Sequence, residues 1–233
     1  MNLFPGRDVF VFDLDNTLYP ADHAIFLAIG DRMTAYVQRV TGAPRDEAMA
    51  LQERYYHLYG ATVVGMQRHH GVDPAAFMAD VHAVSFDAVL PDPDLAALIG
   101  ALPGRRIVFS NGARAYAHAI VDHLGLGGVF ERIVALEDVD WIPKPEPAAF
   151  TQMAALCGFS PARAVMFEDH PRNLAAAKAL GFATVLVGPN ATPSDTADYA
   201  AASLHAFLRD AVTGPATTGA ALTGVGTAPS QQA

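Results

Sequence analysis

Cysteine is almost missing from this sequence. Cys157 stands alone, so no intramolecular disulfide can form. Long apolar runs are missing too: none approaches the roughly 20 residues a helix needs to cross a bilayer. Positive charge is scarce, with 15 Lys and Arg against 24 Asp and Glu and a formal net charge of −9. Such a chain gains nothing electrostatically from a nucleic-acid backbone or an anionic membrane, so neither is expected as a partner. Met1 to Asp8 lacks the basic-then-apolar layout of a signal peptide, from which a cytoplasmic location is expected. No internal repeat is present.

What is present is enough for a buried core: 233 residues, 52% hydrophobic and 17% charged. Short β-branched or aromatic runs read as buried strands at Asp8–Asp13, Arg106–Ser110, Arg132–Leu136, Ala164–Glu168 and Ala183–Val187. Helical patterns at Ala113–Leu124, Pro147–Cys157 and Pro171–Leu180 lie between them, stopped by Gly125, Gly158 and Gly181. Strands alternating with helices of this length imply an α/β, Rossmann-like parallel sheet with helices on both faces. Residues 20–95 break the alternation with helical segments and no convincing strand. Pro44 and Gly60 bracket one helix, while Asp73-Pro74 and Asp92-Pro93 each look like an N-cap followed by Pro. The expected division is a core of 1–19 and 96–212 with an inserted helical cap of 20–95. From 213 to 233 large apolar residues nearly vanish, and a disordered tail is expected.

Chemistry gathers at the strand ends. Asp13 and Asp15, in Phe12-Asp13-Leu14-Asp15-Asn16-Thr17, leave the first strand where both carboxylates can turn to one site. One can serve as nucleophile or metal ligand and the other as general acid and base. Ser110-Asn111-Gly112 offers a hydroxyl and backbone N–H groups before a helix, which suits a phosphate. Pro143-Lys144-Pro145 fixes the backbone around one ammonium. Glu168-Asp169 at the end of the fourth strand suggests oxygen ligands for a divalent cation. Each also fits an ordinary role: an Asp-rich turn, a Ser N-cap, a proline-rich loop with a solvated lysine. Their joint order along the chain is hard to assign to chance.

Together these residues resemble the motifs of the haloacid dehalogenase-like phosphohydrolase superfamily over roughly Asp8 to Asp210. Phe12 to Pro20 and Glu168 to Leu174 resemble, more narrowly, its pyrimidine 5′-nucleotidase branch, with which Asn16 is consistent. The resemblance implies Asp13 as nucleophile, forming an aspartyl-phosphate, and Asp15 as general acid and base. It implies Mg2+ held by the Asp13 carboxylate, the Asp15 backbone carbonyl and Asp169, with Glu168 direct or through water. Ser110, Asn111 and Gly112 would hold phosphate oxygens, and Lys144 would neutralise nucleophile and transferring group. Four carboxylates against one ammonium would repel a phosphate dianion, so strict Mg2+ dependence is expected. Two carboxylates this close also tend to raise one pKa, which suits a general acid. Carbon–halogen hydrolysis needs no acid two residues after the nucleophile, so Asp15 argues for phosphoryl chemistry.

The expected substrate is a small phosphate monoester, a nucleoside monophosphate before all, with sugar phosphates or phosphoglycolate as the alternative. A catalytically idle binding protein is disfavoured by the retention of Asp13, Asp15, Lys144 and Asp169. A monomer or homodimer is expected. Specificity should lie in the cap, near Tyr19, Pro20, His23, Phe26, Tyr55, Tyr59, Met66 or His69, although an aromatic at helical spacing is more often core. His69 and His70 point too far apart on a helix to share an ion. No zinc spacing, P-loop or dinucleotide fingerprint occurs. His170 is given no role, and Cys157 reads as a small buried apolar residue.

Overall fold

A computed structural model describes residues 4–20 and 24–213. His23 and the tail expected over 214–233 lie outside the described residues, while Thr213 closes the last helix. The sheet runs β1 (Val9–Phe12), β2 (Arg105–Phe109), β3 (Arg132–Val134), β4 (Ala164–Glu168), β5 (Ala183–Val187) and β6 (Tyr199–Ala201). All pairs are parallel, in the order β3-β2-β1-β4-β5-β6. Crossovers leave β1 in one direction through β2 and β3, and β4 to β6 fill the other side. The carboxyl ends of β1, β2 and β4 therefore meet where the strand order reverses, the place at which open α/β sheets bind ligands.

Residues of β1 are buried on both faces, which is why the run is continuously apolar. Alternation divides them between two cores. Phe10 and Phe12 pack with Val108, Val165, Phe167 and Val185 on one face. Val9 and Val11 pack with Ile107, Phe109, Val134 and Met166 on the other. The first face carries helices α5 (Pro93–Gly100), α6 (Arg114–His123) and α9 (Leu204–Thr213). The second carries α7 (Pro147–Cys157) and α8 (Pro171–Ala179), with Cys157 buried in it as a small apolar residue.

Four helices, α1 (Ala24–Thr41), α2 (Arg45–Tyr59), α3 (Thr62–His70) and α4 (Pro74–Val81), fill the chain between β1 and α5. Their boundaries follow local chemistry. Gly60 ends α2 with φ of 80°, and the Asp73 carboxylate caps α4 by accepting from Ala75 N. Asp92 caps α5 in the same way through Leu95 N. α5 spans the boundary expected at 95/96 and is tied to α9 by a His205–Asp92 contact of 2.9 Å. Among the described residues no helix is long and apolar enough to cross a membrane.

The strand β6 is absent from the sequence reading, because its three half-buried residues carry no long apolar run. The loop before it is pinned by Asp198, whose Oδ2 accepts from Thr184 N (2.9 Å) and Oγ1 (3.1 Å), while Oδ1 meets Lys178 Nζ at 2.8 Å. Partial burial pushes the Asp198 carboxyl upward, but these bonds outweigh it and hold it below its ordinary value of 3.8. A depressed carboxyl stabilises the fold above its unfolded pKa and loses that contribution as pH falls through the folded value. Asp198→Asn should therefore melt below the wild type at neutral pH, and the gap should close as pH drops below about 4. Thermal melts across pH check this; a gap that persists unchanged in acid would contradict it.

Candidate active site

Asp13 leaves β1 with its N–H bonded to the Phe167 carbonyl of β4 (2.9 Å), which fixes where its side chain emerges. Its Oδ1 accepts from Lys144 Nζ at 2.5 Å and its Oδ2 from Thr17 Oγ1 at 3.2 Å. Lys144 also donates to Glu168 Oε2 (2.8 Å) and to the Phe109 carbonyl (3.0 Å). That ammonium is only 2% exposed, so the solvated-lysine reading is excluded. Burial pulls its pKa down, yet the attraction of Asp13 and Glu168 outweighs this and the net shift is upward.

The Lys loop is held by an amide clamp. Asn111 Oδ1 accepts from Lys144 N (2.8 Å), and Asn111 Nδ2 donates to the Lys144 carbonyl (3.0 Å). The N-cap of α6 is Ala113, not Ser110. Ser110 Oγ instead accepts from Gly112 N at 2.8 Å, which leaves the hydroxyl proton for another acceptor.

Asp13, Glu168 and Asp169 bring carboxylate oxygens within 4.8 Å of one another. Asn16, at φ of 64°, reaches this cluster through Nδ2 to Asp169 Oδ2 (3.1 Å). Its Oδ1 is buried and, among the described residues, has no hydrogen-bond partner. An orphaned buried oxygen beside a surplus of carboxylates fits a hard divalent cation. Burial first and Glu168 second push the Asp13 carboxyl up to about 7. Burial likewise raises Glu168 to about 7, and raises Asp169, each with help from a neighbouring carboxylate. The carboxyl that burial and Glu168 raise is thus that of Asp13, the residue expected as nucleophile.

Asp15 turns away from the cluster. Its Oδ1 accepts from Tyr116 Oη of α6 (2.9 Å) and from Tyr19 Oη, and the two phenol oxygens also touch. Burial, then the negative charge of Asp15, drives both phenol pKa values upward, so both remain donors.

A cleft beside the cluster is lined by Tyr56 and Gly60 of the helical insert and by Asn111, Lys144, Pro145, His170, Arg172 and Asn173. A Cβ on Gly60 would lie 2.5 Å from the Lys144 carbonyl, so this glycine permits the insert to meet the Lys loop. Arg172 donates to the His57 carbonyl of α2 at 3.4 Å through both Nη atoms.

The model of the haloacid dehalogenase-like hydrolases matches residues 7–181. The chain belongs to this family.

Phosphate metabolism protein 8 of Saccharomyces cerevisiae is 28% identical over 199 residues, covering 78% of this chain and 62% of the yeast protein. The chain thus spans less than two thirds of that relative. Validoxylamine A 7′-phosphate phosphatase of Streptomyces hygroscopicus subsp. limoneus is 30% identical over 191 residues, 74% of this chain and 82% of its own. The fold is shared with the HAD phosphatase from Thermococcus onnurineus (TM-score 0.59, 21% identity, 89% of this chain and 98% of that one). It is shared equally with L-2-haloacid dehalogenase from Xanthobacter autotrophicus (TM-score 0.58, 18% identity, 90% and 100%).

In this haloacid dehalogenase-like chain the structure brings together Asp13, Lys144, Glu168 and Asp169, with Ser110, Asn111 and Gly112 on the adjoining loop and Asp15 beside them. Of the cap residues singled out from sequence, Tyr19 reaches the site. Met66 and Tyr55 are buried, with the Tyr55 ring packed where a Cβ on Gly65 would stand. Tyr59 is bonded to His69 (2.7 Å), and Phe26 is exposed. Sequence reasoning missed Tyr116 and Tyr56, which lie on helices at spacings indistinguishable from core or surface positions. His170, given no role, caps α8 by accepting from Arg172 N (3.3 Å) and donates its own N–H to Glu168 Oε1 (3.3 Å).

Asn111→Ala should remove the clamp on Lys144 and lower stability by about 1–2 kcal/mol. Urea denaturation checks this; an unchanged midpoint in this variant would show that the Lys loop holds its position unaided.

Proposed function

We propose that this chain is a Mg2+-dependent phosphomonoester hydrolase working through an aspartyl-phosphate, and that it serves as a pyrimidine 5′-nucleotidase. The observation that carries the reading is Asp13, held by buried Lys144 while sharing an acidic cluster with Glu168 and Asp169. Asp13 attacks phosphorus, the bond to the ester oxygen breaks, and Asp15 gives a proton to that oxygen. Asp15 then takes a proton from the water that cleaves the aspartyl-phosphate, and inorganic phosphate leaves. Lys144 offsets charge on the nucleophile and the transferring group. Ser110 Oγ and the N–H of Asn111 hold phosphate oxygens, and Gly112 acts through Ser110, whose hydroxyl it orients.

The carboxylates of Asp13 and Asp169 and the backbone carbonyl of Asp15 would hold the ion, with Glu168 bound directly or through water. Mg2+ would supply positive charge that keeps Asp13 ionised below about 7. The fold alone is compatible with dehalogenation, but a departing halide needs no proton. An acid gripped by two phenols supports the phosphoryl reading.

The nucleotide reading rests on the wording of Phe12 to Pro20 and Glu168 to Leu174, and on Tyr56, whose ring borders the cleft. Residues 20–95 would act as a cap over the site, with 1–19 and 96–212 as the catalytic core. The protein would act in the cytoplasm as a monomer or homodimer on a free small molecule. A phosphatase for sugar-like phosphates is the second reading, favoured by the Streptomyces relative, whose name specifies a 7′-phosphate of validoxylamine A.

With Mg2+, the protein should release phosphate from UMP and CMP, and chelation should abolish the release reversibly. Asp13→Asn should lose about a thousandfold or more while melting as a folded protein. Activity that survives either treatment would remove the proposed site. A panel that includes hexose phosphates and phosphoglycolate decides the substrate: preference for these over UMP and CMP would favour the second reading.

A further inference from the structure

The two phenols on Asp15 have no place in the steps described above, yet they are built with care. Tyr19 stands in the turn that the Asp15–Tyr19 backbone bridge closes, and its ring folds back to the carboxylate four residues earlier. Tyr116 comes from α6, on the far side of the helical insert in sequence, and ends on the same oxygen, Oδ1. Both rings are buried. A carboxylate that receives two donors on one oxygen is fixed in rotation, and exchange of its proton with substrate falls to Oδ2.

The Tyr116 ring also has neighbours that link the acid to other parts of the site. A Cβ on Gly112 would stand 3.2 Å from Tyr116 Cδ1, so the ring lies against the Ser110 loop. The His82 ring packs on it with centroids 4.5 Å apart, and Phe86 meets it edge-on at 5.9 Å. His82 closes α4, with Nδ1 bonded to the Met78 carbonyl at 2.9 Å.

We propose that Tyr19 and Tyr116 are positioning residues for Asp15, and that Tyr116 joins the acid to the helical insert through His82. The inference rests on the phosphomonoesterase reading. The Tyr116 hydroxyl sets the aim of the carboxylate.

A general acid matters most when the leaving oxygen is basic. An alkyl phosphate needs its alkoxide protonated; p-nitrophenyl phosphate scarcely does. Values of kcat/KM report phosphoryl transfer up to departure of that group, and so isolate the acid step. Tyr116→Phe and Tyr19→Phe are compared with wild type and Asp15→Asn on both esters in Mg2+, with thermal melts alongside. For each Tyr→Phe variant the loss on the alkyl ester should exceed the loss on the aryl ester by about tenfold, in the same direction as Asp15→Asn. Equal losses on the two esters, or none, beside a leaving-group-dependent Asp15→Asn would overturn the positioning role and leave the phosphatase reading standing. A wild type inactive on both esters would overturn that reading and this inference with it, as would an Asp15→Asn variant without leaving-group dependence. If Tyr116→Phe does not fold, Tyr19→Phe decides whether phenols position Asp15.

Discussion

The structure turns on one buried ammonium. Lys144 is almost fully enclosed, and its charge is tolerable only because Asp13, Glu168 and the Phe109 carbonyl surround it. Removing one partner from such a group leaves an uncompensated buried charge, at a cost of about 3–5 kcal/mol. The partners come from β1, β4 and the end of β2, so the arrangement requires those three carboxyl ends to be adjacent. The central strand order β2-β1-β4 supplies that adjacency, and the Asn111 clamp brings the lysine loop to it. Fold and site are one constraint seen at two scales.

Around this centre the two aspartates of the first loop part company. Asp13 belongs to an oxygen-rich cluster in which neighbouring carboxylates and burial work against ionisation. Asp15 belongs to a pocket of phenols that donate to it. Two residues apart in sequence, the carboxylates meet different partners, Lys144 and two further acids for one and two phenols for the other. Asn16 joins the Asp13 side through Asp169, and among the described residues its buried Oδ1 has no hydrogen-bond partner.

Much of this was legible before any coordinates. The strands β1, β2, β4 and β5 announce themselves as apolar runs buried on both faces, and the caps at Asp73, Asp92 and Gly60 are local chemistry read from adjacent residues. Asp13, Asp15, Glu168 and Asp169 stand out in the sequence because each ends or follows a readable strand, and Lys144 because prolines flank it. Other features depend on distance in sequence. The environment of Lys144 is set by residues far from it along the chain, so a proline-flanked lysine reads equally well as solvated. Tyr116 meets Asp15 across 101 positions, and nothing in the α6 pattern separates it from a core residue. The side-chain role of Asn111 was hidden in the same way, since a loop asparagine beside a Ser looks like turn chemistry. The edge strand β6 carries too little apolar signal to be seen.

The central claim is that Asp13, aimed by Lys144, is the group that takes the phosphoryl moiety. Acid quenching during turnover of a radiolabelled phosphate ester, followed by peptide mapping, tests it directly. The account predicts an alkali-labile label on the peptide that carries Asp13, absent from Asp13→Asn. A label on Ser110, on a histidine or on any peptide lacking Asp13 would contradict it.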